Sequence, residues 1–393
     1  MASDRPEAVI LVGNYPPDQQ FSMQGVFRLL RREIEAAGIP VLPIRPEAKE
    51  NAALPLPPKY RGHWDKLRRF PRRLRETVHR ECPAHGWDPS RVIVHIVDHG
   101  NAIYATGARP CPVVVTCHDT MAIRRARGAF SPWAPPPSPL FRLQQRKILQ
   151  GLEAADAIAC VSESTRDDLL QLLPGKAASI RWFPHALPFE PELLPEETIH
   201  RRLRERGWDA RPYCFHLGNN SWYKNRSGLL RIYHALVDAR TRNAPPPPAL
   251  ICAGAPFDSE QLQLLQTLGL EDQVLHAGRP SEDELQALYR GAQLFLFPSH
   301  YEGMGLPPLE AQRFGVPVVA ADRPALQSVL GDSAILRDPE VPETWVDPIR
   351  KIFEDPAFRQ SLVEKGRDNW TRFRPEPMRR QYLDLYRDLL TRT

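Results

Sequence analysis

Ten short, near-continuous apolar runs punctuate this chain, and they constrain its fold more than any other feature. The first five are "AVILVGNY" (8–15), "IPVLPI" (39–44), "RVIVHIV" (91–97), "PVVVTC" (112–117) and "AIACVS" (157–162). The second five are "YCFHLG" (213–218), "PALICAG" (248–254), "DQVLHAG" (272–278), "AQLFLFPS" (292–299) and "VPVVAAD" (316–322). Runs that lack polar alternation suit strands covered on both faces, as in a parallel sheet. Longer stretches with helical spacing separate them. In "MQGVFRLLRREIEAAG", Val26, Leu29, Leu30 and Ile34 share one helix face, and Gly38 is a natural stop. Two β-α-β series in succession predict an α/β chain of two doubly wound domains. A length of 393 residues agrees, being too great for one ordinary core. The expected domains are 1–190 and 191–375, with the seam in the proline- and acid-rich stretch "PHALPFEPELLPEE". Residues 376–393 are expected to form a C-terminal helix that can pack back on the first domain.

Composition narrows the class. With 42% hydrophobic and 25% charged residues the chain reads as a globular protein. A net charge of +5 permits an anionic substrate or a membrane surface and does not demand nucleic acid. No run approaches the roughly 20 apolar residues of a membrane span, and the apolar run in "MASDRPEAVILVG" is too short for a secretory leader. A cytoplasmic location follows as an expectation. The six cysteines form no C-x-x-C pair and several lie in apolar runs, so they read as core residues in a reducing compartment, with no zinc site. The proline clusters "APPPSP" (134–139) and "APPPP" (244–248) read as stiff connectors. The stretch "RGHWDKLRRFPRRLRETVHR" (61–80) holds eight basic residues against two acids. Trp64, Leu67, Leu74 and Val78 approximate one helix face there, with a kink expected at Pro71. It is either a solvated basic edge or a peripheral contact with an anionic membrane. It lacks the interleaved aromatics of a nucleic-acid module.

The chemistry concentrates in "HYEGMGLPPLEAQRFGVPVVAAD" (300–322). A strand ends at "LFLFPS", a glycine turn follows, and a helix starts near Leu306. Pro307 and Pro308 suit a first helical turn and carry no N–H, so an anion cradle there must use the amides of Gly303, Met304, Gly305 and Leu306. Glycines at 303 and 305 let backbone approach a ligand closely. Glu310 falls within the helix, placed to accept from a vicinal diol, and Glu302 precedes it. Taken singly, each glutamate would read as a solvated turn acid or a partner of the helix dipole. A second element, "GNNSWYKNRSGLL" (218–230), puts Lys224 and Asn225 just past another strand end.

This pattern resembles the signature of the retaining glycosyltransferases of family GT4, E-x7-E within E-G-x-G-L-P-x-L-E-A, with Glu302 and Glu310 as its two acids. "LYRGAQLFLFPS", "ADAIACVSESTRDDLLQLLP", "VVVTCHDT" and "FHLGNNSWYKN" extend the resemblance over nearly the whole chain. It implies the GT-B fold, two Rossmann-like domains facing across a cleft. The first domain would bind the acceptor and the second the nucleotide sugar. It implies transfer of a sugar from a nucleoside-diphosphate sugar to a hydroxyl of a saccharide, lipid-linked or small-molecule acceptor. Anomeric configuration is retained, no metal or other cofactor is required, and nucleic acid is not a partner. Glu302 then serves the sugar, Glu310 the ribose, and Lys224, Asn225 and the amides of 303–306 the donor diphosphate. The family often places an arginine directly after the glycine of the lysine loop. Asn219 stands there, and Arg226 is a candidate replacement.

The resemblance implies further sites in the first domain. His118 matches a family histidine that reaches the donor sugar or the reacting centre. Asp119 beside it, and Asp98 and His99 in "HIVDHGN", are acceptor-side candidates, for which a purely structural role is an equal alternative. In the loop after the first strand, Gln24 and Gly25 are expected to meet donor phosphates or acceptor through their amides. Two other readings stay open: a GT-B sugar phosphorylase or sugar-phosphate synthase, and a non-catalytic sugar-nucleotide-binding protein.

Overall fold

The computed structural model describes residues 5–391 apart from 19, 48–64, 132, 189–191 and 241–245. The chain divides into two compact units. One comprises Met1–Ser131, Pro135–Glu190 and Phe373–Thr393, the other Pro132–Ala134 and Pro191–Arg372.

The first unit is built on six parallel strands: β1 (Ala8–Val12), β2 (Val41–Ile44), β3 (Val92–Ile96), β4 (Val113–Cys117), β5 (Ala157–Cys160) and β6 (Ile180–Trp182), in the order β2-β1-β3-β4-β5-β6. Every residue of β1, β3 and β4 is buried, as strands sandwiched between helical layers must be. Successive β1 side chains enter opposite cores. Ala8, Ile10 and Val12 join Phe70, Leu74 and Val78 on one face, while Val9 and Leu11 join Val26, Leu30, Met378 and Tyr382 on the other. The second core therefore includes the helix Pro375–Leu390 as a structural member of the first unit.

The basic stretch 61–80 behaves differently from its sequence reading. Pro71 sits in the first turn of the helix Phe70–His85, directly after a π-helical turn, Asp65–Arg69, rather than in the middle of an α-helix. Leu74 and Val78 are 0% and 1% exposed within the core. The Leu74 and Val78 part of that face is thus consumed by folding. Trp64 lies outside the described residues, as do 61–63 and part of the cluster 244–248.

The second unit repeats the plan with β7 (Tyr213–Gly218), β8 (Ala249–Gly254), β9 (Val274–His276), β10 (Leu294–Phe297), β11 (Val318–Ala321) and β12 (Ile335–Arg337), ordered β12-β11-β10-β7-β8-β9. From β7 the chain proceeds outward in one direction, and from β10 in the other. The order reverses between these two neighbours, the place where open α/β sheets bind ligands beyond the carboxyl ends of their strands. In the first unit the reversal falls between β1 and β3. The edge strands β6 (IRW) and β12 (ILR) carry three residues each, an arginine among them, and do not register as apolar runs. No helix among the described residues is long and apolar enough to cross a membrane.

Candidate functional site

In the second unit, the loops leaving β7 and β10 are stitched together. The His300 amide donates to the Tyr223 carbonyl at 2.7 Å, and Asn225 Nδ2 donates to the Pro298 carbonyl at 3.0 Å. This brings Lys224, at the end of a one-turn helix, to Glu302: Nζ lies 2.7 Å from Oε1. Lys224 Nζ also sits 4.9 Å from the centre of the Phe297 ring, within range of a cation–π attraction. The two side chains are only 14% and 10% exposed. The lysine and the first glutamate of the motif, 78 residues apart, form one nearly buried ion pair at the sheet's reversal point.

The helix Leu306–Arg313 starts at Gly305, whose φ of 89° is left-handed and whose missing Cβ would stand 2.6 Å from Leu326 Cδ2. A side chain at 305 is excluded twice over. Gly303 and Leu306 remain partly exposed at this helix start, whereas Met304 is 6% exposed. The Met304 side chain packs inside the unit, so only its backbone can serve a donor. One turn into the helix, Glu310 Oε2 accepts from the Tyr289 hydroxyl at 2.7 Å. Burial pushes the Glu310 carboxyl pKa up, with Tyr289, Arg313 and Lys224 acting against it. Among the described residues only Oε2 is engaged, which leaves Oε1 to a ligand. Tyr289 comes from the helix Glu282–Gly291 and stacks on Phe314. Nothing local in "ALYRGAQ" marks it as a partner of an acid 21 residues on.

Two expectations are corrected here. Asn225 does not face a donor freely. It adopts a left-handed φ of 51° and caps the helix Arg226–Asp238, with Oδ1 accepting from the Gly228 amide at 3.1 Å while Nδ2 holds Pro298. Arg226 does not supply the cation missing at Asn219. It is 2% exposed, donates to Asn220 Oδ1 and the Ala255 carbonyl, and lies 4.5 Å from the Phe257 ring centre. Its work is to hold the lysine loop from within.

In the first unit, Asn14 after β1 and Asp98 after β3 meet across the reversal point, with Asn14 Nδ2 donating to Asp98 Oδ2. Asp98 Oδ1 accepts from the Gly100 amide at 2.9 Å and so caps the 3-10 helix His99–Ala108. Burial works to raise the Asp98 pKa. His99, His118 and the bonds from Asn14 and Gly100 outweigh it, and the carboxyl stays below its usual range. Each oxygen holds a bond, which gives Asp98 the structural part that was the alternative to acceptor binding. His99 Nδ1 lies 3.4 Å from Asp98 and receives the His118 amide. Asp119 Oδ1 accepts from the Met121 amide and turns the chain into the next helix.

His118 is the group that remains available. Its Nε2 lies 2.8 Å from the Val97 carbonyl, which can only accept, so Nε2 carries the proton and Nδ1 the lone pair. Burial pulls its pKa down against the influence of Asp98, and the ring is neutral. Behind it stands a network that its sequence does not advertise. His95 contacts Tyr386 and Thr116 at 2.6 and 2.8 Å, Thr116 contacts Tyr382 at 2.7 Å, and the His185 ring meets that of His118 edge to face. The loop after β1 also departs from expectation. Gly25 lies within the helix Phe21–Ala36, a turn beyond its start, and the Gln24 amide is bonded to the Gln20 carbonyl. Amides inside a helix are already spent, so these two cannot cradle phosphate.

Two family models match the chain, one for each half: "Glycosyltransferase Family 4" over residues 25–190 and "Glycosyl transferases group 1" over residues 202–369. The chain belongs to these glycosyl transferases. A relative within the family is the O-antigen chain mannosyltransferase B of Escherichia coli, 27% identical over 259 residues, 64% of this chain and 65% of that protein. The match thus spans just under two thirds of that relative's length. Among solved structures, a sucrose-phosphate synthase from Thermosynechococcus elongatus superposes with a TM-score of 0.69 at 19% identity, covering 98% of this chain and 100% of that one. Anabaena HepE, solved with UDP and glucose, gives 0.68 at 17% identity over 97% and 99%. At such identities the likeness concerns the fold, and the fold of this family member is the two-domain α/β arrangement named GT-B.

Proposed function

We propose that the chain transfers a glycosyl group from a nucleoside-diphosphate sugar to a hydroxyl of a saccharide, lipid-linked or small-molecule acceptor, with retention. The observation that carries this is the ion pair of Lys224 and Glu302 at the β7/β10 reversal point, one turn from a Glu310 carboxylate with one oxygen uncommitted. An arriving diphosphate competes with Glu302 for the Lys224 ammonium. Glu302, released from that bond, becomes an acceptor for sugar hydroxyls, and Glu310 Oε1 takes the ribose diol. The lysine and the helix-start amides stabilise the departing diphosphate as its charge develops, which requires no metal ion.

The two glutamates come from one short segment and are engaged by Lys224 and Tyr289, so they do not resemble the opposed carboxylates of a double displacement. Substitution on the same face follows, with the leaving phosphate taking the acceptor proton. For His118 the proposed part is a contact from its unprotonated Nδ1 to a donor-sugar hydroxyl. The six cysteines are free and buried, as suits a reducing compartment, and we place the reaction in the cytoplasm. The relative named for O-antigen synthesis supports a polysaccharide acceptor, and the synthase neighbour supports a sugar phosphate as the second reading.

The test is a thermal-shift screen of the full chain against nucleoside diphosphates and their sugars, followed by transfer assays with the stabilising donor. Stabilisation by one base series, and turnover lost in both Glu302→Gln and Lys224→Met, is expected. Donor turnover unchanged in both variants would overturn the assignment.

A further inference from the structure

Within the first unit, His118 ends a chain of side-chain bonds that reaches back to the helix Pro375–Leu390. His95 on β3 and Thr116 on β4 lie two residues before Val97 and His118, and the two strands are neighbours. Side chains two apart on a strand share a face. The His95–Thr116 contact is therefore one step along the strands from the bond between His118 and the Val97 carbonyl. The hydroxyls of Tyr386 and Tyr382, one turn apart on the helix, meet His95 Nδ1 and Thr116 Oγ1.

His185 stands between this network and His118. Its ring centre lies 5.8 Å from that of His118 and 6.0 Å from that of Tyr382, edge to face in both cases, the range in which aromatic rings attract. His185 is 2% exposed, and its Nε2 is buried with no hydrogen-bond partner. On that side the imidazole acts by contact and not through a bond. Burial first, and the nearby His118 second, hold its pKa down to about 3, so it brings no charge to its neighbour. The backbone that carries it is held on both sides. Phe183 packs edge to face on Tyr382 at 4.7 Å, the Ala186 amide donates to Met378 Sδ at 3.4 Å, and the Leu187 amide donates to the Phe373 carbonyl at 3.3 Å. These tethers sit where the chain leaves the first unit, after Glu190, and where it re-enters, at Phe373.

The structure assigns His185 as a positioning residue for His118. The Val97 carbonyl fixes one nitrogen of the His118 ring, and one hydrogen bond alone lets a ring swing about it. The His185 ring stands in the way of that swing, and the tethers at Phe183, Ala186 and Leu187 keep it there. Nδ1 of His118 is thereby kept in one direction. The effect on turnover rests on the reading above, in which that nitrogen meets a donor-sugar hydroxyl; the hold on the ring does not.

Nitrogen NMR of the full chain with labelled histidine, without ligand, tests the hold. The His118 signals are those that His118→Gln removes. Wild type is expected to show the single Nε2–H tautomer, and His185→Ala a mixture of tautomers or broadened His118 signals. His185→Phe, which returns a flat ring, is expected to restore one tautomer. Turnover is then measured with the nucleoside-diphosphate sugar that stabilises the chain. Misplacing a reacting group lowers rate far more than binding, so His185→Ala should lower kcat about 10- to 100-fold with KM within about twofold of the wild type. His185→Phe should recover part of that loss. If the alanine variant does not fold, His185→Leu fills the volume without a flat ring and carries the same expectation. Leu389→Ala, two turns beyond Tyr382 in the same core, controls for lost packing. It should lower Tm while leaving the His118 signals and kcat as in the wild type. Unchanged His118 signals in the alanine and leucine variants, or an equal loss of kcat in Leu389→Ala, would overturn the proposal. Unchanged turnover in His118→Gln would sink the part given to His118, and the NMR comparison would still decide whether His185 holds its ring.

Discussion

Replacing Lys224 by methionine isolates the ion pair on which the donor site depends. Methionine keeps the length and packing of the stem and removes only the charge. Glu302 is then left 10% exposed with no cation at 2.7 Å. Breaking a buried pair from one side costs about 3–5 kcal/mol, because the surviving charge remains desolvated. The pair retains a little solvent contact, so the lower end, about 3 kcal/mol, is the working figure. For a unit of this size each kcal/mol moves the midpoint by about 2–4 °C, giving an expected fall of roughly 6–12 °C. Lys224→Met/Glu302→Gln removes the stranded charge as well, and should recover most of that loss. Differential scanning calorimetry on the wild type, both single variants and the double variant forms the cycle. A Lys224→Met midpoint within 2 °C of the wild type, or a double variant whose loss equals the sum of the singles, would refute the claim that these side chains form a coupled buried pair.

Other perturbations follow from the same geometry. Tyr289→Phe deletes the hydroxyl that Glu310 accepts from; about 1–3 kcal/mol of stability should go with it, and nucleotide affinity measured by titration should weaken. At Gly254, φ is 114° and an added Cβ would stand 2.0 Å from the Gly218 carbonyl oxygen, so Gly254→Ala should yield little folded protein in a solubility and circular-dichroism comparison. Acid should destabilise the fold early. His95, His185 and His216 are buried and held near a pKa of about 3, against about 6.5 when unfolded. Because the folded values are depressed, the unfolded chain binds more protons below pH 6.5, and the stability these groups contribute is complete above that pH and lost as pH falls toward 3. At pH 5 this amounts to about 2 kcal/mol per histidine. His185→Phe should lessen the drop in melting midpoint between pH 7.5 and 5; an unchanged drop would contradict a neutral, buried His185.

How much of this was legible beforehand depends on the range of the interaction. The ten apolar runs announced parallel strands because burial on both faces leaves a local mark, and Glu302 and Glu310 stood out because a glycine-rich helix start is written in consecutive residues. The Lys224–Glu302 pair was legible only as two motifs; that they bond to each other is decided by the strand order, which brings β7 beside β10. Tyr289 and the His95–Thr116–Tyr382 network left no trace, since each partner looks like an ordinary core residue until the sheet assembles. Asn225 and Gly25 misled for a common reason. Motif position says where a polar group lies, while capping and intrahelical bonds decide whether it has capacity left for a ligand.

The helix Pro375–Leu390 carries a consequence for the order of events during synthesis. Residues 191–372 leave the ribosome before it, and they form a unit of their own. Until Met378, Tyr382 and Tyr386 emerge, the core face that holds Val9, Leu11 and Ile93 is covered only in part, by the first helix, and His95 lacks the hydroxyl that meets its Nδ1. The unit made first is therefore finished last. A nascent chain must carry an incomplete, adhesive sheet through the production of an entire second unit, the interval in which unfinished cores aggregate or recruit chaperones.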